Sequence, residues 1–257
     1  MELYVVGCHG GETPKHRASS FLLDETLAID AGAVTRALDL AAQAKLEACL
    51  VSHAHLDHVR DLATLADNRC QMRTKPLVVA GTKATLDALR AHFFNNSLWP
   101  DFSKIPCGDG SGATIEFLEI DQERPTEVAG RRVTAVAVHH TIDCSGFVVE
   151  TDEGALAYSG DTGPTDRLWD VLRQTPRLKA LLCEVSFPDR EAGLARVSGH
   201  YTPATLAADL RKLGPLSTLP TVLYHIKPIF QREVELECAR LDGLSLQVAQ
   251  LDDTYRF

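Results

Sequence analysis

The sequence predicts an α/β protein with sheets inside and helices outside. Apolar runs of three to eight residues occur in blocks, and segments with the Ala and Leu spacing of a helix lie between some of them. The 257 residues are 45% hydrophobic and 24% charged, which is typical of a globular chain that buries a substantial core. Because no linker, repeat or low-complexity tract interrupts the pattern, we predict one domain over residues 1–257.

The predicted elements follow in chain order. The first three strands are short and joined by tight turns, which favours antiparallel pairing. Later strands alternate with helices. The predicted strands cover residues 3–6, 21–23, 27–29, 48–51, 77–80, 132–138, 144–151, 155–159, 180–184 and 221–224. The predicted helices cover residues 34–45, 82–92, 166–173 and 203–213.

Charge and composition exclude several classes of partner. Lys and Arg total 26 against 35 Asp and Glu, so the formal charge of -9 makes nucleic acid an unlikely partner. No apolar run reaches the roughly 20 residues of a membrane span, so we expect no membrane association. Residues 1–11 lack the features of a secretory signal, and the seven cysteines are scattered. We therefore expect reduced thiols and a cytoplasmic location.

One short string carries the sharpest chemical pattern. His53, His55, Asp57 and His58 form an HxHxDH sequence directly after the predicted strand 48–51. Imidazole nitrogens and carboxylate oxygens suit zinc, manganese or iron, and a strand-to-helix turn lets such side chains converge. The string predicts a metal centre at the end of this strand.

Further ligand-type residues follow three other predicted strands. His139 and His140 come after strand 132–138, Asp161 after strand 155–159, and His225 after strand 221–224. Ligand sites in α/β proteins gather beyond the carboxyl ends of strands. We therefore expect these residues to complete the centre begun by the HxHxDH string.

The order of these residues resembles the metallo-β-lactamase superfamily, and within it the phosphodiesterase branch. That branch includes class II 3',5'-cyclic-nucleotide phosphodiesterases and the related tRNA 3'-end processing endonucleases. The resemblance implies a four-layer αββα sandwich. Besides the ligand strings, it rests on Gly10-Gly11, Asp30-Ala31-Gly32, Ser159-Gly160-Asp161-Thr162-Gly163-Pro164, Glu184-Val185-Ser186-Phe187 and Ser198-Gly199-His200-Tyr201-Thr202-Pro203.

The resemblance implies two divalent metal ions, zinc by default, with manganese or iron also compatible. They would share a hydroxide that attacks phosphorus. His140 is preferred to His139 because it precedes Gly146-Phe147 by six positions, as in the phosphodiesterase branch. The implied ligands are His53, His55 and His140 for one ion, Asp57, His58 and His225 for the other, and Asp161 between them.

Some residues are expected to act beyond metal binding. Asp57 could accept a hydrogen bond from the hydroxide and so aim it at phosphorus. By resemblance, His200 would protonate the leaving oxygen as general acid, with a helix-capping or surface histidine as the alternative. Glu184 is a candidate to orient a ligand or His200, with a solvated strand end as the alternative. Lys227 is a candidate phosphate contact.

The segment His92–Asp109 is rich in aromatic residues and has no clean period. Its aromatic side chains could stack on a purine, and Asn95 or Asn96 could bond the edge of that base. The aromatic candidates are Phe93, Phe94, Trp99 and Phe102, and a similar FN and WPDF string is what the resemblance implies for cyclic-nucleotide phosphodiesterases at this position. The alternatives are an ordinary structural loop and a contact between two subunits of a homodimer.

The predicted function is hydrolysis of a small-molecule 3',5'-cyclic nucleotide, cyclic AMP favoured, to the 5'-nucleotide. The chain lacks the glycine-rich basic insertion that tRNA processing endonucleases carry, and its charge opposes a tRNA surface. The alternatives are such an endonuclease, another ester hydrolase of this fold, or a non-catalytic metal-binding protein.

Overall fold

The computed structural model describes residues 1–257 except the side chain of Leu216. Its strands, numbered in chain order, are β1 (Glu2–Gly7), β2 (Ser20–Leu23), β3 (Leu27–Ile29), β4 (Ala48–Leu50), β5 (Leu77–Gly81), β6 (Ile115–Glu119), β7 (Thr126–Val128), β8 (Arg131–Ala137), β9 (Ser145–Thr151), β10 (Gly154–Tyr158), β11 (Leu178–Glu184), β12 (Thr221–Tyr224), β13 (Leu246–Val248) and β14 (Thr254–Arg256).

The helices fill the segments between the strands. The α-helices are α1 (Val34–Ala37), α2 (Leu40–Lys45), α3 (Leu56–Val59), α4 (Asp61–Cys70), α5 (Lys83–His92), α6 (Arg167–Gln174), α7 (Ala192–Ser198), α8 (Pro203–Leu210) and α9 (Gln231–Cys238). Short 3₁₀ helices lie at Asp189–Glu191, Arg211–Leu216 and Pro228–Phe230. Within the described residues, none of the helices has the length and apolar character that a membrane crossing requires.

The strands form two seven-stranded mixed sheets. The first has the order β14-β1-β2-β3-β4-β5-β6 and the second the order β13-β12-β11-β10-β9-β8-β7. As predicted, β1, β2 and β3 pair antiparallel. From β3 to β6 the first sheet is parallel, and from β10 to β13 so is the second.

Three apolar clusters hold the layers together. The central one joins the facing sides of the two sheets, for example Phe21 of β2 with Phe147 of β9 and Tyr158 of β10. A second packs the outer side of the first sheet against α1, α4 and α5, and a third packs the second sheet against α6, α8 and α9. The layers are therefore helix, sheet, sheet and helix, which confirms the predicted α/β sandwich.

Some predicted elements differ from the structure. The single helix predicted over residues 34–45 is wrong: the chain turns extended at Leu38, and the Asp39 carboxylate accepts a hydrogen bond from the Ala42 amide at 2.8 Å to begin α2. The sequence patterns did not predict α4. One of the buried positions of this helix holds Arg69 instead of an apolar residue. The sequence patterns also missed α7, α9 and the strands β6, β7, β13 and β14.

The topology gathers the ends of several strands at one edge. In the second sheet, β8 and β10 both run antiparallel to β9, so they point the same way, and β10, β11 and β12 are parallel. The end of β4 in the first sheet meets the same edge, because the amide of Ser145 donates to the Ser52 carbonyl at 3.1 Å. The segments after β4, β8, β10 and β12 therefore converge.

Candidate metal centre

The segments that follow β4 and β8 bring three imidazoles together. His53 Nε2 lies 3.0 Å from His55 Nδ1, and His140 Nε2 lies 3.1 Å from the same His55 nitrogen. His53 is fully buried, while His55 and His140 are half-buried. Three nitrogen donors that face one another at this spacing form one candidate group of metal ligands.

A second group lies beside the first. His58 Nε2 is 3.3 Å from His225 Nε2, and His225 Nε2 is 3.4 Å from the Oδ2 atom of Asp57. Asp57 and His58 belong to the first turn of α3, whereas His225 follows β12 and has a left-handed backbone with φ of 71°. The donors of these three residues lie within 4.8 Å of one another.

Asp161 stands between the two groups. Its Oδ2 atom lies 3.1 Å from His225 Nε2, 3.2 Å from His58 Nε2 and 3.8 Å from His53 Nε2. Its Oδ1 atom is buried and has no hydrogen-bond partner among the described residues. A buried carboxylate oxygen without a partner is costly, and a cation among these donors would satisfy it. The donor set therefore fits divalent metal ions.

The nitrogens on the far side of four imidazoles are held by the protein. Such contacts fix the ring orientation and keep the hydrogen on the nitrogen that faces away from a metal. The pairs are His53 Nδ1 with Ser52 Oγ at 3.0 Å, His58 Nδ1 with Asp30 Oδ2 at 2.7 Å, His140 Nδ1 with the Gly199 carbonyl at 3.0 Å, and His225 Nδ1 with Ser186 Oγ at 3.0 Å.

The electrostatics suit cation binding. Burial holds the pKa of His53 well below its usual value and lowers that of His225 to about 4, so both rings are neutral donors near pH 7. Burial acts the same way on His58, but the carboxylates of Asp161 and Asp30 outweigh it and raise the pKa of His58. Despite its burial, Asp161 has a pKa well below normal because His225 and His58 lie beside it. The site thus concentrates negative charge that a cation would neutralise.

The structure separates the two neighbouring histidines after β8. The ring of His140 joins the cluster, whereas His139 is anchored through its backbone. Its amide donates to the Thr162 hydroxyl oxygen at 3.2 Å, and its carbonyl accepts from the Gly163 amide at 2.8 Å. Within the described part of the chain, His139 belongs to none of the candidate ligand groups.

His200 lies at the border of the cluster. Its Nδ1 atom is 2.7 Å from Glu184 Oε1, and a ring nitrogen lies within 4.8 Å of donors of His140 and Asp161. Burial alone would lower the pKa of His200, but the Glu184 carboxylate outweighs it and raises that pKa. Glu184 is fully buried and contacts His200, so the alternative of a solvated strand end is wrong. Its role in orienting His200 stays a prediction.

Several residues that support the cluster were not singled out by sequence reasoning. The Asp30 carboxylate contacts His58 Nδ1. It also accepts hydrogen bonds from the Ser52 amide and hydroxyl at 2.8 Å and from the Tyr158 hydroxyl at 2.6 Å. Ser186 lies between His225 and Glu184. Asp30 and Ser186 stood inside the Asp-Ala-Gly and Glu-Val-Ser-Phe strings, but common residue types at strand ends gave no reason to choose them.

The residues expected to contact a base have other surroundings. Phe94 is only 2% exposed and packs in the outer core with Phe93 and Phe102, so its ring faces are already covered. Asn95 uses Oδ1 to accept from the amides of residues 97 and 98, and its Nδ2 donates to the Ala91 carbonyl at 3.0 Å. Both side chains therefore take part in the structure of the loop, and their contact with a base stays a prediction.

Trp99 and Lys227 remain accessible. Trp99 is 36% exposed, and its Nε1 donates to the Ala63 carbonyl at 3.0 Å. Lys227 is half-buried two residues beyond His225, and its positive charge opposes protonation of both His225 and His200. Of the four candidate substrate residues, Lys227 is thus the one whose charge reaches the metal cluster.

Comparison with known proteins identifies the family of this chain. Over 206 residues, 71% of this chain, it is 32% identical to a probable 3',5'-cyclic-nucleotide phosphodiesterase of Yersinia pestis, of which it covers 57%. Over 207 residues, again 71% of this chain, it is 29% identical to 3',5'-cyclic-nucleotide phosphodiesterase of Aliivibrio fischeri, of which it covers 60%. The chain therefore spans less than two thirds of the length of these relatives.

The solved structure of unliganded yeast PDE1 superposes with a TM-score of 0.80 at 17% identity and covers 98% of both chains, which is a likeness of fold. The Beta-lactamase superfamily domain matches residues 25–226, a range that holds all seven candidate metal ligands. The expected superfamily is thus confirmed, and the chain belongs to the β-lactamase superfamily.

Proposed function

We propose that this protein is a metal-dependent hydrolase that converts 3',5'-cyclic nucleotides, cyclic AMP foremost, to 5'-nucleotides. The observation that carries the proposal is the pair of candidate ligand groups with Asp161 between them, and with His200, paired with Glu184, at their border. The names of the two relatives support the choice of substrate class. The formal charge of -9 supports a small substrate over a polynucleotide.

The ligand assignment follows the two groups. His53, His55 and His140 would hold one divalent cation, Asp57, His58 and His225 the other, and Asp161 both. Zinc is the first choice because five of the seven ligands are imidazoles, and the two carboxylates also admit manganese or iron. When bound, the cations supply Lewis acidity that neutralises the phosphodiester charge and makes water a stronger nucleophile.

The side chains around the cations divide the remaining work. The Asp57 side chain is about one third exposed, so its carboxylate can accept a hydrogen bond from the attacking water and orient it toward phosphorus. As the bond from phosphorus to the 3' oxygen breaks, His200 donates a proton to that oxygen. Glu184 holds the His200 Nδ1–H, so the proton given up comes from Nε2. Lys227 adds positive charge beside the phosphate.

The test is hydrolysis of cyclic AMP and cyclic GMP by zinc-loaded protein, with a tRNA precursor and bis(p-nitrophenyl) phosphate as other substrates. We expect 5'-AMP as product, no cleavage of the tRNA precursor, and loss of turnover in a variant that combines His53→Ala and Asp57→Ala. The matched control is His139→Ala beside His140→Ala, because only His140 joins the ligand cluster.

Each of the other outcomes would indicate a different function. Cleavage of the tRNA precursor without turnover of cyclic nucleotides would replace the proposal by an endonuclease. Cleavage of bis(p-nitrophenyl) phosphate alone would leave a phosphodiesterase with another substrate. Stoichiometric zinc binding without turnover of any ester would indicate a binding protein.

A further inference from the structure

Ser186 lies between the candidate metal ligand His225 and Glu184, the residue that contacts the proposed proton donor His200. Its Oγ atom lies 3.0 Å from His225 Nδ1, 3.1 Å from Glu184 Oε2 and 3.2 Å from His200 Nδ1. Ser186, Glu184 and His225 are all fully buried. Water therefore does not replace these contacts, and each hydrogen must be assigned within the protein.

One placement of the hydrogens satisfies these side-chain contacts together, although the Ser186 hydroxyl also has the His225 carbonyl at 3.2 Å as a second acceptor. His225 Nε2 faces the candidate metal site beside Asp161 and His58, so it would be unprotonated when a cation is bound there. Its Nδ1 would then carry the hydrogen and donate it to Ser186 Oγ. The Ser186 hydroxyl then donates to Glu184 Oε2. The other oxygen of Glu184 accepts from His200 Nδ1 and from the Thr162 amide at 3.0 Å. A neutral hydroxyl with one donor hydrogen and free lone pairs can serve both neighbours at once.

The same arrangement recurs on the other side of the cluster. Ser52 Oγ donates to Asp30 Oδ2 at 2.8 Å and lies 3.0 Å from His53 Nδ1. Each serine therefore stands between the rear nitrogen of a candidate ligand and a buried carboxylate. The recurrence indicates that the hydroxyl has a task in ligand orientation, beyond completing a local turn.

We propose that Ser186 is a positioning residue that fixes the His225 imidazole for metal binding and joins it to the Glu184 carboxylate that holds His200. This inference rests on the proposed function, because it concerns the same metal centre. Without the hydroxyl, the Nδ1–H of His225 loses its acceptor, and the ring is free to rotate or to present the wrong nitrogen. Glu184 would keep its contacts with His200 and Thr162.

The test measures metal affinity instead of turnover. Metal-free wild type, Ser186→Ala and Ser19→Ala are titrated with zinc in the presence of a competing chromogenic chelator. Ser19 is the matched control, because it is a fully buried serine whose Oγ has no hydrogen-bond partner among the described residues. We expect two zinc affinities in wild type, and in Ser186→Ala one of them weakened about 10- to 100-fold, as for other residues that orient metal ligands. Ser19→Ala should keep both affinities.

A second measurement needs no variant that might misfold. In zinc-loaded wild type labelled with ¹⁵N-histidine, NMR should show His225 protonated at Nδ1 and unprotonated at Nε2, with the Nδ1 hydrogen slow to exchange. Unchanged zinc affinities in Ser186→Ala, or an unprotonated Nδ1 in wild type, would overturn the inference. Equal weakening of both sites together with a lower melting temperature of the metal-free variant would assign Ser186 a structural role and overturn it too.

Other results would contradict the proposed function independently of the role of Ser186. Wild type that binds only one zinc ion would contradict the two-ion centre. Wild type that binds two ions but turns over no ester would contradict the activity and leave the role of Ser186 in metal binding intact.

Discussion

The Asp30 carboxylate lies 2.7 Å behind the Nδ1 atom of His58 and holds that imidazole toward Asp161 and His225. Asp30 is fully buried and has a left-handed backbone with φ of 56°, a conformation that Asp and Asn tolerate better than most residues. It also accepts from Ser52 and Tyr158, so one buried charge organises both the ligand and its surroundings. This relationship links the turn after β3 to the metal centre.

The first prediction concerns Asp30→Asn. Asn keeps the size and tolerates the backbone conformation, but its amide lacks the charge and cannot accept every hydrogen bond that the carboxylate accepts. We expect zinc affinity at one site to fall about 10- to 100-fold in a chelator competition. Asp24→Asn is the matched control, because Asp24 also has a positive φ of 46° and lies in the turn between β2 and β3. Equal affinity in Asp30→Asn and Asp24→Asn would contradict the role of Asp30.

The second prediction concerns the close approach of Gly10 to His225. A Cβ atom on Gly10 would lie 2.4 Å from the His225 carbonyl oxygen and 2.9 Å from its Nδ1 atom, which is closer than real Cβ contacts. Gly10→Ala should therefore displace His225 and weaken zinc binding.

Gly193→Ala in α7 is the control for Gly10→Ala. A Cβ atom there meets nothing within 4 Å, and replacing a helical glycine should stabilise the protein by about 0.5–1 kcal/mol. Zinc titration and thermal melting measure the two effects. Normal zinc binding by Gly10→Ala would show that the segment moves aside without cost to the ligand.

The sequence predicted which candidate ligands cluster better than it predicted the residues that hold them in place, and the reason is physical. His53, His55, Asp57 and His58 lie within six residues, and their side-chain types are rare enough in that density to indicate a metal. Asp30 and Ser186 act through contacts with residues 28 and 39 positions away in the chain. Only the topology, which brings the ends of β3, β4, β11 and β12 to one edge, reveals them.

The missed elements have a similar explanation. Arg69 fills a buried position of α4, where its guanidinium donates to the Gln43 and Lys75 carbonyls, so the helix has no clean apolar stripe in sequence. The break between α1 and α2 depends on the Asp39 side chain capping α2, a contact that competes with helix continuation. The strands β7, β13 and β14 have three residues each and include polar, partly exposed positions, so they lack the apolar run by which the equally short, fully buried β3 and β4 were predicted.

The third prediction separates packing from ligand contact in the aromatic loop. Phe94→Ala removes a ring that is 2% exposed, so we expect a loss of about 3–5 kcal/mol in the free energy of unfolding. The KM of the folded enzyme for cyclic AMP should not change. Trp99→Ala, at a position 36% exposed, should cost less stability. A raised KM in Phe94→Ala at normal stability would restore the base-stacking role.

The last prediction tests His200 as proton donor. The 3' oxygen of a ribose is a poor leaving group unless it is protonated, whereas p-nitrophenolate leaves readily without a proton. His200→Gln should therefore reduce kcat on cyclic AMP by about 10²- to 10⁴-fold and reduce turnover of bis(p-nitrophenyl) phosphate far less. His139→Gln is the control, because its ring lies outside the ligand groups formed by the described residues. An equal loss on both substrates would instead indicate that His200 acts on the metal ligands, since its ring stacks on His225 at 5.2 Å between centroids.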